Sequence, residues 1–187
     1  MPMAKTATED FKKLLVAYKA KKIEFPQLKA VTFAQWTLEC GWGTTPLALR
    51  HKNYAGAKWR PYMADWATSV IYSAHDGTEY YCSFATQDKW IEGYWGRLDK
   101  EKAYKGWRQH VKNGTEFINF IGPTWVGTGA IGEAVYVRHV LRLMEQQADL
   151  FKEDPNEKVP IVNPDDMRTH AWGSMRSDSE LQRNGDE

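Results

Sequence analysis

Near the amino end, apolar residues recur at the three- and four-residue spacing of a helix that is buried on one side. Thr6-x-x-Glu9 is typical of a capping box at the start of such a helix. The apolar stripe that follows it consists of Phe11, Leu14, Leu15 and Tyr18. A second stripe predicts a helix that begins with Pro26 in its first turn and ends near Gly41, because glycine is favoured just after a helix.

Residues 67–84 change to a β-prone pattern, and His75-Asp76-Gly77 in its middle is a turn signal, which together predict a β-hairpin. Further predicted helices are Thr45 to His51, 87–98, 101–111, 116–121 and 133–151. A glycine-rich loop is predicted over 122–132. The predicted fold class is therefore mainly α (α+β), with one small hairpin.

Charge and composition divide the chain into a body, 1–151, and a polar acidic tail, 152–187. The tail has nine acidic and five basic residues, whereas the body has 15 acidic and 20 basic ones. We expect the tail to be flexible unless it binds an unknown partner. A mildly basic body suits an anionic polymer such as a cell wall, but its charge is too weak and dispersed to indicate nucleic acid.

Several function classes lack support in the sequence. Cys40 and Cys82 are too few for a disulfide framework, so we expect two buried free thiols, and the five histidines have no metal-ligand spacing. We predict no metal and no cofactor. No secretory signal and no run of apolar residues long enough for a membrane span is recognisable.

Glu39 is the strongest candidate for acid–base chemistry. It falls at the carboxyl end of the second predicted helix, where the helix dipole disfavours a negative charge, and Trp36 and Trp42 can remove water from it. Both effects raise the pKa of a carboxyl group. A carboxylic acid that is protonated near neutral pH is what glycosidic cleavage needs to protonate the leaving oxygen.

The stretch from Ala34 to Trp59, AQWTLECGWGTTPLALRHKNYAGAKW, resembles glycoside hydrolase family 73. These are the glucosaminidase domains of peptidoglycan hydrolases, whose pattern is A-Q-x-x-L-E-S-G-W-G, a short helix and then N-x-x-G-x-K. Cys40 replaces the usual serine. The resemblance implies a lysozyme-like fold, with a helical lobe, a small β-hairpin lobe and a cleft between them. It also implies that Glu39 is the catalytic acid.

Relatives of this family often carry a second acidic residue on the hairpin. In this chain that position falls near Ser73 or Ala74, where no acid stands. Asp76 and Glu79 are close by, and Asp76 is the more typical turn former, so Glu79 is our candidate for the second catalytic carboxylate. Without it, either other groups hold the water or the N-acetyl group of the substrate assists.

Aromatic side chains around this motif are candidates for holding a glycan, because sugar rings stack on aromatic faces. The predicted substrate-binding residues are Trp42, Asn53, Tyr54, Trp59, Trp125 and Tyr136. Asn53 can instead serve a bond within its loop, and Tyr136 and Trp125 can instead pack in the core.

The predicted function is cleavage of a β-1,4 bond in peptidoglycan, as an endo-β-N-acetylglucosaminidase. A muramidase or lytic transglycosylase on the same fold is one alternative, and a catalytically inactive peptidoglycan-binding module is another. Either enzyme would act in the periplasm or cell wall, reached by non-classical export or by phage-type release.

Overall fold

A computed structural model describes residues 7–74, 77–127 and 132–152. Six helices and one antiparallel pair of strands follow each other in this part of the chain. They are α1 Glu9–Ala20, α2 Lys29–Cys40, α3 Pro46–His51, β1 Thr68–Ala74, β2 Gly77–Ser83, α4 Gln87–Lys100, α5 Gly114–Val126 and α6 Glu133–Gln147. Short 3-10 turns lie at Pro26–Leu28, Pro61–Met63, Lys102–Tyr104, Trp107–His110 and Ala148–Phe151. The predicted class, mainly helical with one hairpin, is confirmed.

The helix α2 lies at the centre of the core, with α6, α5 and α1 packed around it. Phe33, Trp36 and Cys40 on this helix are buried. Gly41 ends α2 in the left-handed conformation, with φ of +53°, which a glycine adopts without the steric cost of a side chain. The predicted end of this helix is therefore confirmed, and it places Glu39 in the final turn.

The helix α1 is capped by Thr8, whose hydroxyl accepts a hydrogen bond from the backbone N–H of Phe11. The capping box predicted from Thr6 and Glu9 is therefore wrong, since Glu9 is already the first helical residue. Thr6 itself lies outside the described residues.

The hairpin pairs Val70 with Tyr81 and Tyr72 with Glu79. It is attached to the preceding loop by two backbone hydrogen bonds, from the N–H of Trp59 to the carbonyl of Tyr80 and from the N–H of Cys82 to the carbonyl of Ala57. The hairpin thus lies directly against the segment that follows the Glu39 motif. Its predicted turn residues His75 and Asp76 lie outside the described residues.

Two predictions in the carboxyl half are corrected. In place of a helix over 101–111, two 3-10 turns are separated by Gly106, whose φ of +91° interrupts a right-handed helix. The glycine-rich segment is helical as far as Val126, although Pro123 lies inside it. The longer helix is held by its packing on α6. Gly122 leaves room there for Val137, which would lie only 3.0 Å from a Cβ added at Gly122.

None of the described helices is long and apolar enough to cross a membrane. Cys40 and Cys82 are both free and buried, as expected. The predicted acidic tail, from 153 onward, lies outside the described residues and stays a prediction.

Candidate active site

Glu39 is half-buried at the carboxyl end of α2. Burial raises its pKa to about 7, because a carboxylate loses hydration in these surroundings. A hydrogen bond from Tyr136 and the positive charge of Arg97 oppose part of this rise. The side chain is therefore divided between the acid and the carboxylate near neutral pH, as a general acid must be.

A chain of hydrogen bonds ends on Glu39. The hydroxyl of Tyr94 donates to Oε1 of Gln35 over 2.7 Å, and Nε2 of Gln35 donates to Oη of Tyr136 over 3.1 Å. The hydroxyl of Tyr136 then donates to Oε1 of Glu39 over 2.5 Å. Gln35 and Tyr136 each accept one hydrogen bond and donate the next, which holds both side chains in position. The Oε2 atom of Glu39 makes no hydrogen bond to a described residue, so it is the oxygen on which a transferable proton can reside.

Arg97 is the charged group that acts on Glu39 from α4. Its guanidinium lies 4.5 Å from the centre of the Trp125 ring, which itself lies 5.5 Å from the ring of Tyr94. The Nε atom of Arg97 lies 2.6 Å from Oε2 of Glu101. The structure thus brings Trp125 and Tyr136, two of the predicted substrate-binding residues, into the surroundings of Glu39.

Glu79, the predicted second carboxylate, belongs to a charged cluster, and its side chain is 37% exposed. One carboxylate oxygen lies 2.5 Å from Nζ of Lys58, and the other lies 3.0 Å from Nη2 of Arg60. Hydrogen bonds from Lys58 and Arg60 lower the pKa of Glu79, with a smaller opposing effect of burial. Glu79 therefore stays ionised at neutral pH, in contrast to Glu39.

Asn53 and Tyr54 are completely enclosed by the protein. The amide of Asn53 donates to the carbonyls of Ala57 and Cys82, both over 2.9 Å, and accepts from the N–H of Ala57 over 2.8 Å. Tyr54 donates to Asp10 of α1. Both side chains therefore have partners within the protein. The alternative given for Asn53, a hydrogen bond within its own loop, is observed.

The two remaining predicted rings are half-buried. Trp42 has a φ of +61° and packs edge-on against Phe11, with ring centres 6.4 Å apart. Trp59 lies beside the hairpin and bonds to it through its backbone. Neither makes a described hydrogen bond or ring contact to the residues of the Glu39 chain.

Sequence reasoning missed Tyr94 as a hydrogen-bonding residue, and it missed Arg97 and its partner Glu101 altogether. A signal for Arg97 was present, because Trp90, Tyr94 and Arg97 fall at helical spacing on one face of α4. A charged side chain on an apolar stripe needs a partner when it is buried. Nothing local, however, indicates which partner it has.

A cavity of about 230 Å³ lies elsewhere, lined by residues that include Phe25, Trp95 and Trp107. None of the residues that bond to Glu39 lines it, so it is separate from the candidate site. Among the described residues, no cluster of three or more histidine, cysteine or acidic side chains could hold a metal ion.

Comparison with known proteins identifies the family. The glucosaminidase family model, described as mannosyl-glycoprotein endo-beta-N-acetylglucosaminidase, matches residues 16–149. The catalytic domain of the autolysin Auto from Listeria monocytogenes is similar over 82% of this chain and 92% of that chain, with 17% identity and a TM-score of 0.49. No curated protein matches the sequence. Because the family model covers more than half of the chain and includes Glu39 and Tyr136, the protein belongs to the glucosaminidase family of glycoside hydrolases.

Proposed function

We propose that the protein cleaves the glycan strands of peptidoglycan as an endo-β-N-acetylglucosaminidase, with Glu39 as the general acid. The observation that carries this proposal is the state of Glu39, a half-buried carboxyl group with a pKa of about 7 and one oxygen engaged by Tyr136. Peptidoglycan as the substrate is supported by the family and by the autolysin to which the chain is similar.

The proton on Oε2 of Glu39 passes to the glycosidic oxygen as the bond to the sugar breaks. Glu39 then carries the negative charge, and the hydrogen bond from Tyr136 and the charge of Arg97 both stabilise that charge. These interactions strengthen as the proton leaves, so they favour the transition state over the ground state.

Glu79 is proposed as the second carboxylate, which activates water or stabilises the positive charge that develops on the sugar. Its lowered pKa suits this role, because a base must be ionised at the pH at which the acid is still protonated. Lys58 and Arg60 compete for the same carboxylate. If they keep it occupied, assistance by the N-acetyl group of the substrate is the remaining route.

The half-buried rings of Trp42, Trp59 and Trp125 are proposed to stack on the glycan, and Tyr136 to hold Glu39 against it. For Asn53 and Tyr54 we propose a supporting role, because their polar atoms are bonded within the protein. Activity at the bacterial cell wall follows from the proposed substrate.

The test is a digest of purified peptidoglycan by the wild type, Glu39→Gln and Glu145→Gln, an exposed glutamate of α6 that serves as a matched control. Products are reduced and identified by mass spectrometry. We expect new reducing N-acetylglucosamine ends from the wild type and Glu145→Gln, and none from Glu39→Gln. Anhydro-muramic ends would indicate a lytic transglycosylase instead. Binding to sacculi without new ends would indicate a binding module, and a fully active Glu39→Gln would refute the assignment of Glu39.

A further inference from the structure

Arg97 is held on three sides within the described part of the chain. Its side chain is only 16% exposed, and its Nε atom lies 2.6 Å from Oε2 of Glu101. The same carboxylate oxygen accepts a hydrogen bond from the hydroxyl of Tyr62 over 3.1 Å. The guanidinium lies on the face of Trp125. An arginine that is paired and stacked in this way has little freedom to move.

This assembly adjoins the hydrogen-bond chain of Glu39. Tyr94 and Arg97 are separated by one turn of α4, and both contact the Trp125 ring. Tyr94 in turn begins the chain that passes through Gln35 and Tyr136 to Glu39. The guanidinium of Arg97 is thus joined to the start of that hydrogen-bond chain through the Trp125 ring.

We propose that the ion pair of Arg97 and Glu101 is a positioning element of the active site, in which Arg97, fixed on Trp125 by Glu101, sets how firmly Glu39 holds the proton that it donates. This inference rests on the proposed function of Glu39. Arg97 does not touch the reacting atoms. It acts through the electric field at Glu39, whereas Tyr136 acts through direct contact.

The groups that face Glu39 come from α2 itself and from three other elements. They are Gln35 and Cys40 on α2, Tyr94 and Arg97 on α4, Tyr104 in the 3-10 turn Lys102–Tyr104, and Tyr136 on α6. Among these described groups only Arg97 carries a charge at neutral pH. Its charge lowers the pKa of Glu39 and so opposes the effect of burial. Without Arg97, Glu39 would hold its proton too firmly to donate it readily.

The experiment measures the pKa of Glu39 in the intact protein without substrate. Side-chain carboxyl carbons of glutamate are labelled with ¹³C, the Glu39 signal is assigned by its loss in Glu39→Gln, and its chemical shift is followed against pH. The variants are Arg97→Met, Arg97→Lys and Glu101→Gln. Arg108→Met is the matched control, because Arg108 also stacks on a tryptophan, 4.7 Å from the Trp107 ring, and also pairs with an acidic residue, Asp99.

We expect Arg97→Met to raise the pKa of Glu39 by about one unit, the order of shift that loss of one nearby charge produces in a partly buried site. Arg97→Lys keeps the charge and should restore most of the wild-type value. Glu101→Gln leaves the positive charge of Arg97 uncompensated and should lower the pKa of Glu39 by a smaller amount. Arg108→Met should leave it unchanged. A purely structural role would move both variants of the pair in the same direction.

An unchanged Glu39 titration in Arg97→Met and Glu101→Gln would overturn the inference, as would shifts of the same sign in both. If Arg97→Met does not fold, Arg97→Lys and Glu101→Gln decide, because the first should leave the pKa of Glu39 close to the wild-type value and the second should lower it. A failure of the proposed function is seen separately, as activity of Glu39→Gln in the peptidoglycan digest. The titration needs no activity and reports on Arg97 in either case.

Discussion

The two candidate catalytic carboxyl groups, those of Glu39 and Glu79, lie in different surroundings that shift their pKa values in opposite directions. Glu39 lies half-buried at the end of a helix in the core, and burial raises its pKa to about 7. Glu79 lies on the hairpin strand β2, where Lys58 and Arg60 lower its pKa. The two side chains have identical chemistry, and their difference arises from hydration and from neighbouring charges.

The comparison indicates how a division of labour between acid and base can arise within one small domain. A helix end in the core removes water from a carboxyl group, which then keeps its proton. On the hairpin, neighbouring cations hold the carboxylate of Glu79 in the ionised form. Opposite pKa shifts of this kind are the pattern expected of an acid and its partner base. The following predictions break or sharpen this contrast.

The largest expected effect is on catalysis. Glu39→Gln should lower kcat by about 10³-fold or more, and Glu79→Gln by about 10²-fold, within the range that general acid–base groups supply. The release of reducing ends from peptidoglycan measures both. An unimpaired Glu79→Gln would remove Glu79 from the mechanism and favour assistance by the substrate. Equal losses of kcat in both variants would mean that Glu39 and Glu79 contribute equally to catalysis.

The second effect is on stability at pH 8, which should rise in Glu39→Gln and fall in Glu79→Gln. The pKa of Glu39 is raised in the folded state, so folding is disfavoured only where the unfolded chain would ionise this group. Below the unfolded pKa of 4.5 this penalty is absent, and stability falls as pH rises from there to about 7. The free energy of unfolding of Glu39→Gln should therefore be about 2 to 3 kcal/mol higher than that of the wild type at pH 8. At pH 4 the two should differ little. Chemical denaturation at the two pH values measures this.

Glu79→Gln should instead be slightly less stable than the wild type at pH 8, since its lowered pKa favours the folded state above the unfolded value and this contribution is lost as pH falls. A Glu39→Gln protein that is no more stable than the wild type at pH 8 would contradict the raised pKa.

The third effect is on the pH profile through Tyr136. Its hydrogen bond lowers the pKa of Glu39, so Tyr136→Phe should raise that pKa and move the basic limb of activity to higher pH. We expect about tenfold lower activity at neutral pH and about 1 kcal/mol lower stability. Tyr18→Phe is the control, since it also removes a buried hydroxyl, 2.7 Å from that of Thr32. It should lower stability similarly and leave the pH profile in place.

The smallest effect is expected at Lys58. Lys58→Met removes the largest of the influences that lower the pKa of Glu79, so the acidic limb of the pH profile should move to slightly higher pH. Stability should hardly change, because exposed ion pairs contribute little. Lys100→Met, at an exposed position on α4, is the control. If the acidic limb does not move in Lys58→Met and Glu79→Gln is still active, Glu79 does not take part in the reaction.

Much of the local structure followed from the sequence. The glycine that ends α2, the short helix that starts near Thr45 and the hairpin were all predicted where they are found. These signals are local, because a cap or a turn needs only residues within one turn of each other. The direction of the Glu39 pKa shift was also predictable, since a helix end and its neighbouring rings are sequence neighbours.

The errors have a common cause. Gly106 interrupts the helix predicted over 101–111, and packing on α6 extends α5 through Pro123. In both places a backbone conformation or a distant contact outweighed the apolar periodicity. Trp125 therefore stands on a helix, facing Arg97, and not in the predicted loop.

By itself, the sequence determined the family, the helix that carries Glu39 and the residue types available to the site. Only the tertiary structure decided how those residues are used. Tyr136 reaches Glu39 across 97 positions and Tyr94 reaches Gln35 across 59, whereas Asn53 and Tyr54, close to the motif, are enclosed in the core. The physical reason is that hydration, hydrogen bonding and charge depend on neighbours in space, and a chain acquires those neighbours only when it packs.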